Sequence, residues 1–554
     1  MSLMGALYVG NSGLTTSQNA LNTTAHNMTN ADTTGYVRQQ VQQGTRYYNT
    51  IRVDPNAVSD QQIGMGVNYS KVKQVRDYFL DQTYRRESGR SAFYEVSWGA
   101  LEEVESMFDE LHGETFQSSI EGVWEAIQEL SKDPGNAVTQ GVLVQKAAQF
   151  IERAQFIYDG LVDYQMNLNN QIKNKVDTIN SYANQLKMLN EKICSIECGG
   201  IESANDLRDQ RNNILDELAK LGKISYTEDV FHQVHVQFEG VDLVKREIVY
   251  EIGLHEDENT GFYTPFWIQN ATYVEDQNGE RIYNIEGAEV YDLNTIISTE
   301  LDTDIGSLRA MILVRGDHHA NYTDLNEGNY DASISQSVLM NVQAEFDQLI
   351  HNVATTLNKV LEDAALASDP ASGYLRNADG SPIQLFVKIA TDGYVEGQPA
   401  GTWEYMEEDP SQANTLYTVM NLQINKELMQ TPTKLGFIKE DGSIDFETIE
   451  RMKAEFTAET NTLNPNVKKK SNFVDYYGDL ISQVANSGSV YRSILSNQET
   501  TVNATFTARE QVIGVSSDDE LTYMVKFQNA YNASSRYINV INEMLAHLIN
   551  ALAV

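Results

Sequence analysis

The sequence predicts an α+β protein with paired terminal coiled-coil helices, an α-helical bundle or coiled-coil domain, and an inserted β-rich domain. Three observations carry that expectation. Both ends of the chain repeat large apolar residues every seven positions. A long run with helical periodicity and no proline extends from about Gly135 to Glu197. Near Ile224 the texture changes to short segments of strand-like alternation separated by turn residues.

At the start, Leu7, Leu14, Leu21 and Met28 fall one heptad apart. At the end, Met524, Tyr531, Ile538, Leu545 and Leu552 do the same, flanked by Phe527, Ile541 and Leu548. Each set forms a stripe down one side of a helix, and such a stripe needs an apolar partner. Two uncovered stripes at opposite ends are expected to work together as an assembly interface. The plainer alternative is that each docks on its own domain's core. Residues 3–31 read as a helix weakened by Gly5, Gly10 and Gly13, each costing about 1 kcal/mol relative to Ala. Alone in water that helix is expected to be marginal. The last helix has a better start: Ser517 and Glu520 have capping-box spacing, and Asp518 and Asp519 complement the N-terminal dipole.

Between the ends, a polar stretch from Gly35 to about Ser59 reads as extended loop with some strand. The pattern from Val67 to Tyr84 turns from strand to helix. Residues 91–112 and 114–131 are expected to be amphipathic helices, with Asp133-Pro134-Gly135 as a stop. In the long run that follows, Ile172, Ile179, Leu186 and Ile193 form one heptad row, with Val176 and Ala183 in a second that Asn190 interrupts. Gly199-Gly200 ends the run, and residues 203–220 make another helix. Segments such as Val234–Phe238, Ile248–Ile252 and Phe262–Tyr273 read as strands. Helical character returns over 306–315 and 331–363, the chain is irregular and β from about Asp369 to Ile444, a short helix is expected over 447–460, and a longer one from Phe473 to about Arg509. The order implies nesting. Residues 1–60 with 515–554 would form a terminal helical unit. Residues 61–225, 306–365 and 473–514 would form a discontinuous bundle, with 226–305 and 366–472 as the β-rich insert.

Length and charge exclude several function classes. A chain of 554 residues is too long for one core. Its formal net charge of −38 repels nucleic acid and anionic lipid, so neither is an expected partner. No apolar stretch is long enough to span a bilayer. A basic region followed by an apolar core is missing from the N-terminus, so no cleavable secretory signal is expected. Cys194 and Cys198 are the only cysteines. They make half a zinc site at most and are read as unpaired small apolar residues, with a strained local disulfide as the alternative.

The segment Asn27-Met28-Thr29-Asn30-Ala31-Asp32-Thr33-Thr34-Gly35-Tyr36 resembles the N-terminal motif of the bacterial flagellar rod, hook and hook-associated protein family. Gly514-Val515, Asp519-Glu520, Met524, Gln528, Ala530-Tyr531, Ala533, Ile538, Met544-Leu545 and Leu548-Ile549 resemble that family's C-terminal block. Gly35-Tyr36-Val37-Arg38-Gln39, residues 64–108, Asn180, Tyr182-Ala183, Leu189-Asn190 and Asp206-Leu207-Arg208-Asp209-Gln210-Arg211 are similar to its hook-associated members at the hook–filament junction. The resemblance implies a structural subunit in a ring of identical copies, with the hook subunit on one side and the second hook-associated protein on the other. It also implies type III export through the flagellar pathway and an export chaperone at the C-terminal helix. Other axial proteins of the same architecture are the alternative.

No catalytic site, cofactor or metal site is expected. His255-Glu256 begins a metalloprotease-like pattern, but Asn259 stands where the second histidine belongs. His232 and His235 are too close in a strand-like run to share a metal, being on opposite faces. Asp317-His318-His319 is the best remaining metal candidate and lacks a third ligand at helical spacing. There is no nucleophile elbow, Walker loop or dinucleotide glycine motif. Tyr263, Tyr273, Tyr283 and Tyr291 leave open an adhesive role for the insert, although tyrosines in strands mostly pack.

Overall fold

The computed structural model describes residues 3–53, 60–108, 115–200, 202–275, 281–293, 295–326, 328, 330–389, 406–439 and 441–552. It opens with α1 (Leu3–Thr29), then the strands β1 (Gln39–Thr45), β2 (Tyr48–Val53), β3 (Asp60–Gly64) and β4 (Val67–Gln74). Four helices follow: α2 (Tyr78–Met107), α3 (Phe116–Lys132), α4 (Ala137–Glu197) and α5 (Asn205–Leu221). The next strands are β5 (Ile224–Glu228), β6 (Val234–Phe238), β7 (Val241–Lys245), β8 (Ile248–Val249), β9 (Ile252–Glu256), β10 (Tyr263–Trp267), β11 (Thr272–Glu275) and β12 (Arg281–Asn284). Then come α6 (Ser307–Arg315), α7 (Val338–Ala367), β13 (Phe386–Lys388), β14 (Leu422–Ile424), α8 (Lys426–Gln430), α9 (Phe446–Phe456), α10 (Phe473–Ile513) and α11 (Ser517–Leu552). The part of the expected 91–112 helix beyond Phe108 lies outside the described residues.

The chain runs out along one set of helices and returns along their partners. Helices α1 and α11 are antiparallel, with Gly10 against Ile538 and Gly13 against Ser534. Helices α2 and α10 form a second antiparallel pair, with Asp81 beside Arg509 and Glu87 bonded to Gln498. The first and last helices are thus neighbours, and so are α2 and α10. Between the two pairs, β1 and β4 form a ribbon that continues outward as β2 and β3.

Side-chain caps set most helix starts. Asp77 accepts from Phe79 N and Leu80 N, Asn136 from Val138 N, and Asn472 from Asp475 N. At α11 the expected cap moves by one residue. Ser516 Oγ, not Ser517, accepts from Asp519 N, and the Glu520 carboxylate turns to Arg38 instead of back to the helix start. An ion pair to a buried carboxylate outweighs a local cap bond.

The bundle core is aromatic where α2, α3, α4, α7 and α10 meet: Phe108, Phe116, Phe150, Phe346 and Tyr477 form a chain of edge-on and tilted ring contacts with centroids 5.0–6.2 Å apart. The second half of α4 has a different cover. Its row of Ile172, Val176, Ile179, Ala183 and Leu186 shares one core with Val234, Val236, Leu243, Val244, Ile252 and Trp267. The sheet face and the helices α5 and α6 close that heptad together. The sheet has order β5-β6-β7-β8 and is antiparallel, followed by the hairpin β9–β10.

Three asparagines of α4 fasten these strands. Asn190 donates to Val234 O (2.9 Å) and accepts from Val234 N (3.1 Å). Asn180 does the same with Ile252, and Asn169 donates to Gly261 O while accepting from Tyr263 N. Each amide thus acts as one more rung of a β-ladder. The polar interruption at Asn190 is a strand clamp, and its burial costs little because both of its groups are paired. In 366–472 the β content is small: among the described residues, regular pairing is confined to β13 with β14, clamped in the same way by Asn358. Pro370, Pro382, Pro410, Pro432 and Pro465 interrupt the rest, and proline cannot serve a ladder.

The candidate assembly interface

Helix α1 turns one row inward: Ala6, Gly10, Gly13, Ser17, Ala20, Thr24 and Asn27, alternating four and three residues apart. Helix α11 answers with Glu520, Met524, Phe527, Tyr531, Ser534, Ile538, Ile541 and Leu545 in the same alternation. The seam is small against large. A Cβ on Gly10 would lie 2.7 Å from Ile538 Cγ1, and one on Gly13 would lie 2.7 Å from Ser534 Oγ. The glycines that weaken α1 as an isolated helix are what let α11 approach. Seven-residue spacing of large residues marks a neighbouring row of α1, while small side chains stand where α11 comes closest.

The expected interface residues therefore separate into two groups. Met524, Phe527, Tyr531, Ile538, Ile541 and Leu545 lie in the seam. Leu7, Leu14, Leu21 and Met28 run along α1 beside the inward row and are half-buried. Leu548 is exposed, and together with Tyr537, Val540 and Met544 it forms a second apolar row on α11 that begins at the edge of the seam, where Tyr537 borders Gly10. The Leu552 side chain lies outside the described residues. The pair thus satisfies one stripe internally and leaves further apolar surface uncovered.

The N-terminal motif, the 206–211 segment and the C-terminal block converge at the base of this pair. Asn27 closes a β-like bridge, accepting from Gln39 N (3.0 Å) and donating to Gln39 O (2.8 Å). Tyr36 Oη donates to the same Asn27 oxygen at 2.8 Å. Gly35 has φ of +75°, and a Cβ there would push against the end of the Asn213 side chain, so any other residue is strained at this position. Arg38 Nε donates to the buried Glu520 at 2.8 Å, while Arg38 N donates to Ile513 O. Asp209 accepts from Val37 N and from Gln74 Nε2. Burial pushes its carboxyl up to about 7, only partly opposed by the Val37 bond and the Arg76 charge.

A chain of charges locks the body beneath. Arg76 pairs with Asp81 at 2.9 Å, Arg509 bridges Asp81 (2.9 Å) and Asp216 (2.7 Å), and Arg85 closes on Asp216 at 2.6 Å. Burial alone would raise the Asp81 carboxyl, but the Arg76 hydrogen bond and the Arg76, Arg509 and Arg85 charges bring it below its ordinary value. One residue of α10 therefore ties α2 to α5. Sequence reasoning placed several of these residues in motifs without giving them a task, and missed Arg509 and Asp216 altogether, because their partners are hundreds of residues away.

The histidines have other work. His318 sits between Asp317 (2.6 Å) and Asp324 (3.2 Å), and these hydrogen bonds raise it to about 10. His319 pairs with Gln165. His232, with φ of 63°, lies in a turn and not in the strand that holds His235. Among the described residues no group of three or more His, Cys, Asp or Glu side chains is placed to hold a metal. No described helix is long and apolar enough to cross a membrane.

Three family models match along the chain. Residues 101–370 match the flagellar hook-associated protein FlgK helical domain, residues 7–36 the flagella basal body rod protein, and residues 512–551 the flagellar basal body rod FlgEFG protein C-terminal region. Flagellar hook-associated protein 1 of Bacillus subtilis is 26% identical over 98% of this chain and 97% of its own. The proteins of that name from Salmonella typhimurium and Escherichia coli are 22% and 21% identical, each over 97% of this chain and 98% of its own. The chain belongs to the flagellar hook-associated protein 1 family. Its fold is also similar to that of the flagellar hook junction protein FlgK from Burkholderia pseudomallei, with a TM-score of 0.52 at 10% identity, covering 78% of this chain and all of that one. Membership explains why the terminal blocks and the helical body each carry their own signature: the rod-type models fall on α1 and α11, and the hook-associated one on the bundle.

Proposed function

We propose that this chain is a structural subunit of the bacterial flagellum that joins hook to filament, and that its terminal helices are the assembly device. The uncovered apolar surface on the α1–α11 pair carries the proposal. The seam is complete within one molecule, yet Tyr537, Val540, Met544 and Leu548 remain exposed and the Leu7–Met28 row half-buried. Apolar rows of that length on a two-helix arm need cover, and identical neighbouring arms in a ring supply it. In this reading the hook subunit lies on one side and the second hook-associated protein on the other. The subunit leaves the cell by type III export without a cleavable signal, with an export chaperone at the C-terminal helix. It has no enzymatic activity. The unit 1–60 with 515–554 is the axial part, and the bundle and insert face outward.

Val540→Asp with Met544→Asp tests this cleanly, because neither residue belongs to the seam. Hooks should persist, filament subunits should be lost to the medium, and the purified variant should keep its helical circular dichroism. Normal filaments on cells carrying this variant would end the assembly reading. Deleting residues 226–305 is a poor test of an adhesive role, since that segment covers the apolar row of α4. The hairpin β11–β12, which exposes Tyr273, Val274 and Ile282, can be trimmed without touching that cover.

A further inference from the structure

The end of α4 holds the chain's two thiols together. Cys194 Sγ and Cys198 Sγ are 3.2 Å apart, one helical turn from each other. Both are free, Cys194 half-buried and Cys198 exposed. Two sulfurs on one tetrahedral zinc stand about 3.8 Å apart, given zinc–sulfur bonds of about 2.3 Å. The pair here is closer than that, and no third ligand joins it among the described residues.

The neighbouring backbone can move. Helix α4 ends at Glu197, so Cys198 is its C-cap and the Cys198 N–H to Cys194 O bond is the last of the helix. Gly199 and Gly200 follow, with no other atom within 4 Å of where their Cβ atoms would stand. A regular helix holds residues four apart too rigidly for an unstrained disulfide, but a final turn backed by two glycines can tighten.

We propose that Cys194 and Cys198 are a redox-modification site that closes reversibly into an intramolecular disulfide. The co-reactant is a low-molecular-weight disulfide such as oxidised glutathione. The Cys198 thiolate attacks one of its sulfurs and releases one glutathione thiol. Cys194 then attacks the mixed disulfide and displaces the second. Two protein thiols become one disulfide, and one glutathione disulfide becomes two thiols, so electrons and protons balance. A five-residue ring at a helix end is strained, which makes the bond easily reduced. The chemistry stands apart from the flagellar reading. That reading adds only that an exported chain meets an oxidising medium where such a bond persists. Closure also grips Glu197, whose carboxylate holds Arg208 of α5 and Ala204 N, so oxidation should stiffen the elbow between α4 and α5.

The test uses the full chain, equilibrated in oxidised and reduced glutathione at a series of ratios, quenched in acid and alkylated. Intact mass should show loss of two hydrogens, both cysteines protected from alkylation, and full reversal by dithiothreitol. Cys194→Ser should stop instead at a glutathione adduct on Cys198, with unchanged circular dichroism. Amide exchange over 195–204 should slow in the oxidised form. Persistent alkylation of both thiols at every ratio, a stable glutathione adduct on the unaltered chain, or a covalent dimer would each overturn the proposal.

Discussion

Gly10 and Gly13 both face α11, yet adding one methyl group should act in opposite directions at the two positions. In each case Gly→Ala raises helix propensity by about 1 kcal/mol. At Gly13 the new Cβ meets Ser534 Oγ at 2.7 Å, the end of a side chain that can rotate away, and the next atom is 3.6 Å off. Little opposes the gain, so G13A should stabilise the pair by up to about 1 kcal/mol. At Gly10 the Cβ meets Ile538 Cγ1 at 2.7 Å and Tyr537 Cδ1 at 3.0 Å, with Ile538 Cδ1 at 3.5 Å behind. Ordinary carbon contacts begin near 3.4 Å, so the helices must part or Ile538 must leave its rotamer. Overpacking of this kind costs about 1–3 kcal/mol, and the net effect is a loss of up to about 2 kcal/mol once propensity is credited. Ile538→Ala removes the closest obstruction and leaves Tyr537 Cδ1 at 3.0 Å, so G10A made in that background should recover part of the gain seen at Gly13. The assay is native-state amide exchange of α1, which reports the opening of the terminal pair separately from the body. Equal effects of G10A and G13A, or no coupling between Gly10 and Ile538, would refute the small-against-large account of the seam.

Two further outcomes follow from the body of the protein. Asn190→Ala strands the buried N–H and C=O of Val234 and should cost roughly 2–4 kcal/mol in urea unfolding, whereas Asn190→Asp, which can only accept, should lose more at neutral pH than at pH 4. Glu345 is fully buried and bonded to Asn464 and Gln483, with no cation beside it among the described residues, and burial lifts its carboxyl to about 7 from an ordinary 4.5. The folded state binds that proton more tightly than the unfolded chain. Its contribution is therefore complete below about pH 4.5 and disappears as pH rises through about 7, roughly 3 kcal/mol in all. Glu345→Gln should flatten that part of the decline between pH 5 and 8, and an unchanged pH profile would count against the shift.

Local pattern reached a long way into this structure. Helix positions, the change to strands near Ile224 and the stop at Asp133-Pro134-Gly135 all follow from periodicity, turn residues and caps, which act over a few neighbours. The convergence of the terminal blocks was legible only as a resemblance. Asn27, Tyr36, Arg38, Asp209 and Glu520 sit in recognisable motifs, but nothing nearby in sequence says that Arg38 reaches Glu520 or that Asp209 holds Val37. Arg509 carried no local signal, because an arginine on a helix reads as a solvated charge until two distant aspartates surround it.

What the chain's own order of residues determined is that both ends are amphipathic helices, that helical and strand-forming segments lie between them, and that each end carries an apolar stripe in need of cover. Which row of each end helix meets the other was decided in three dimensions. A heptad of leucines marks surface that must be covered, but it does not name the cover. Close approach of two backbones rewards the absence of side chains, and so α11 lies on the glycine, alanine and serine row of α1 while the leucines remain at its flank. The same holds along α4, whose apolar heptad met a sheet as well as α5 and α6, and whose three asparagines hold strands. Periodicity records which face is buried, and only packing decides against what.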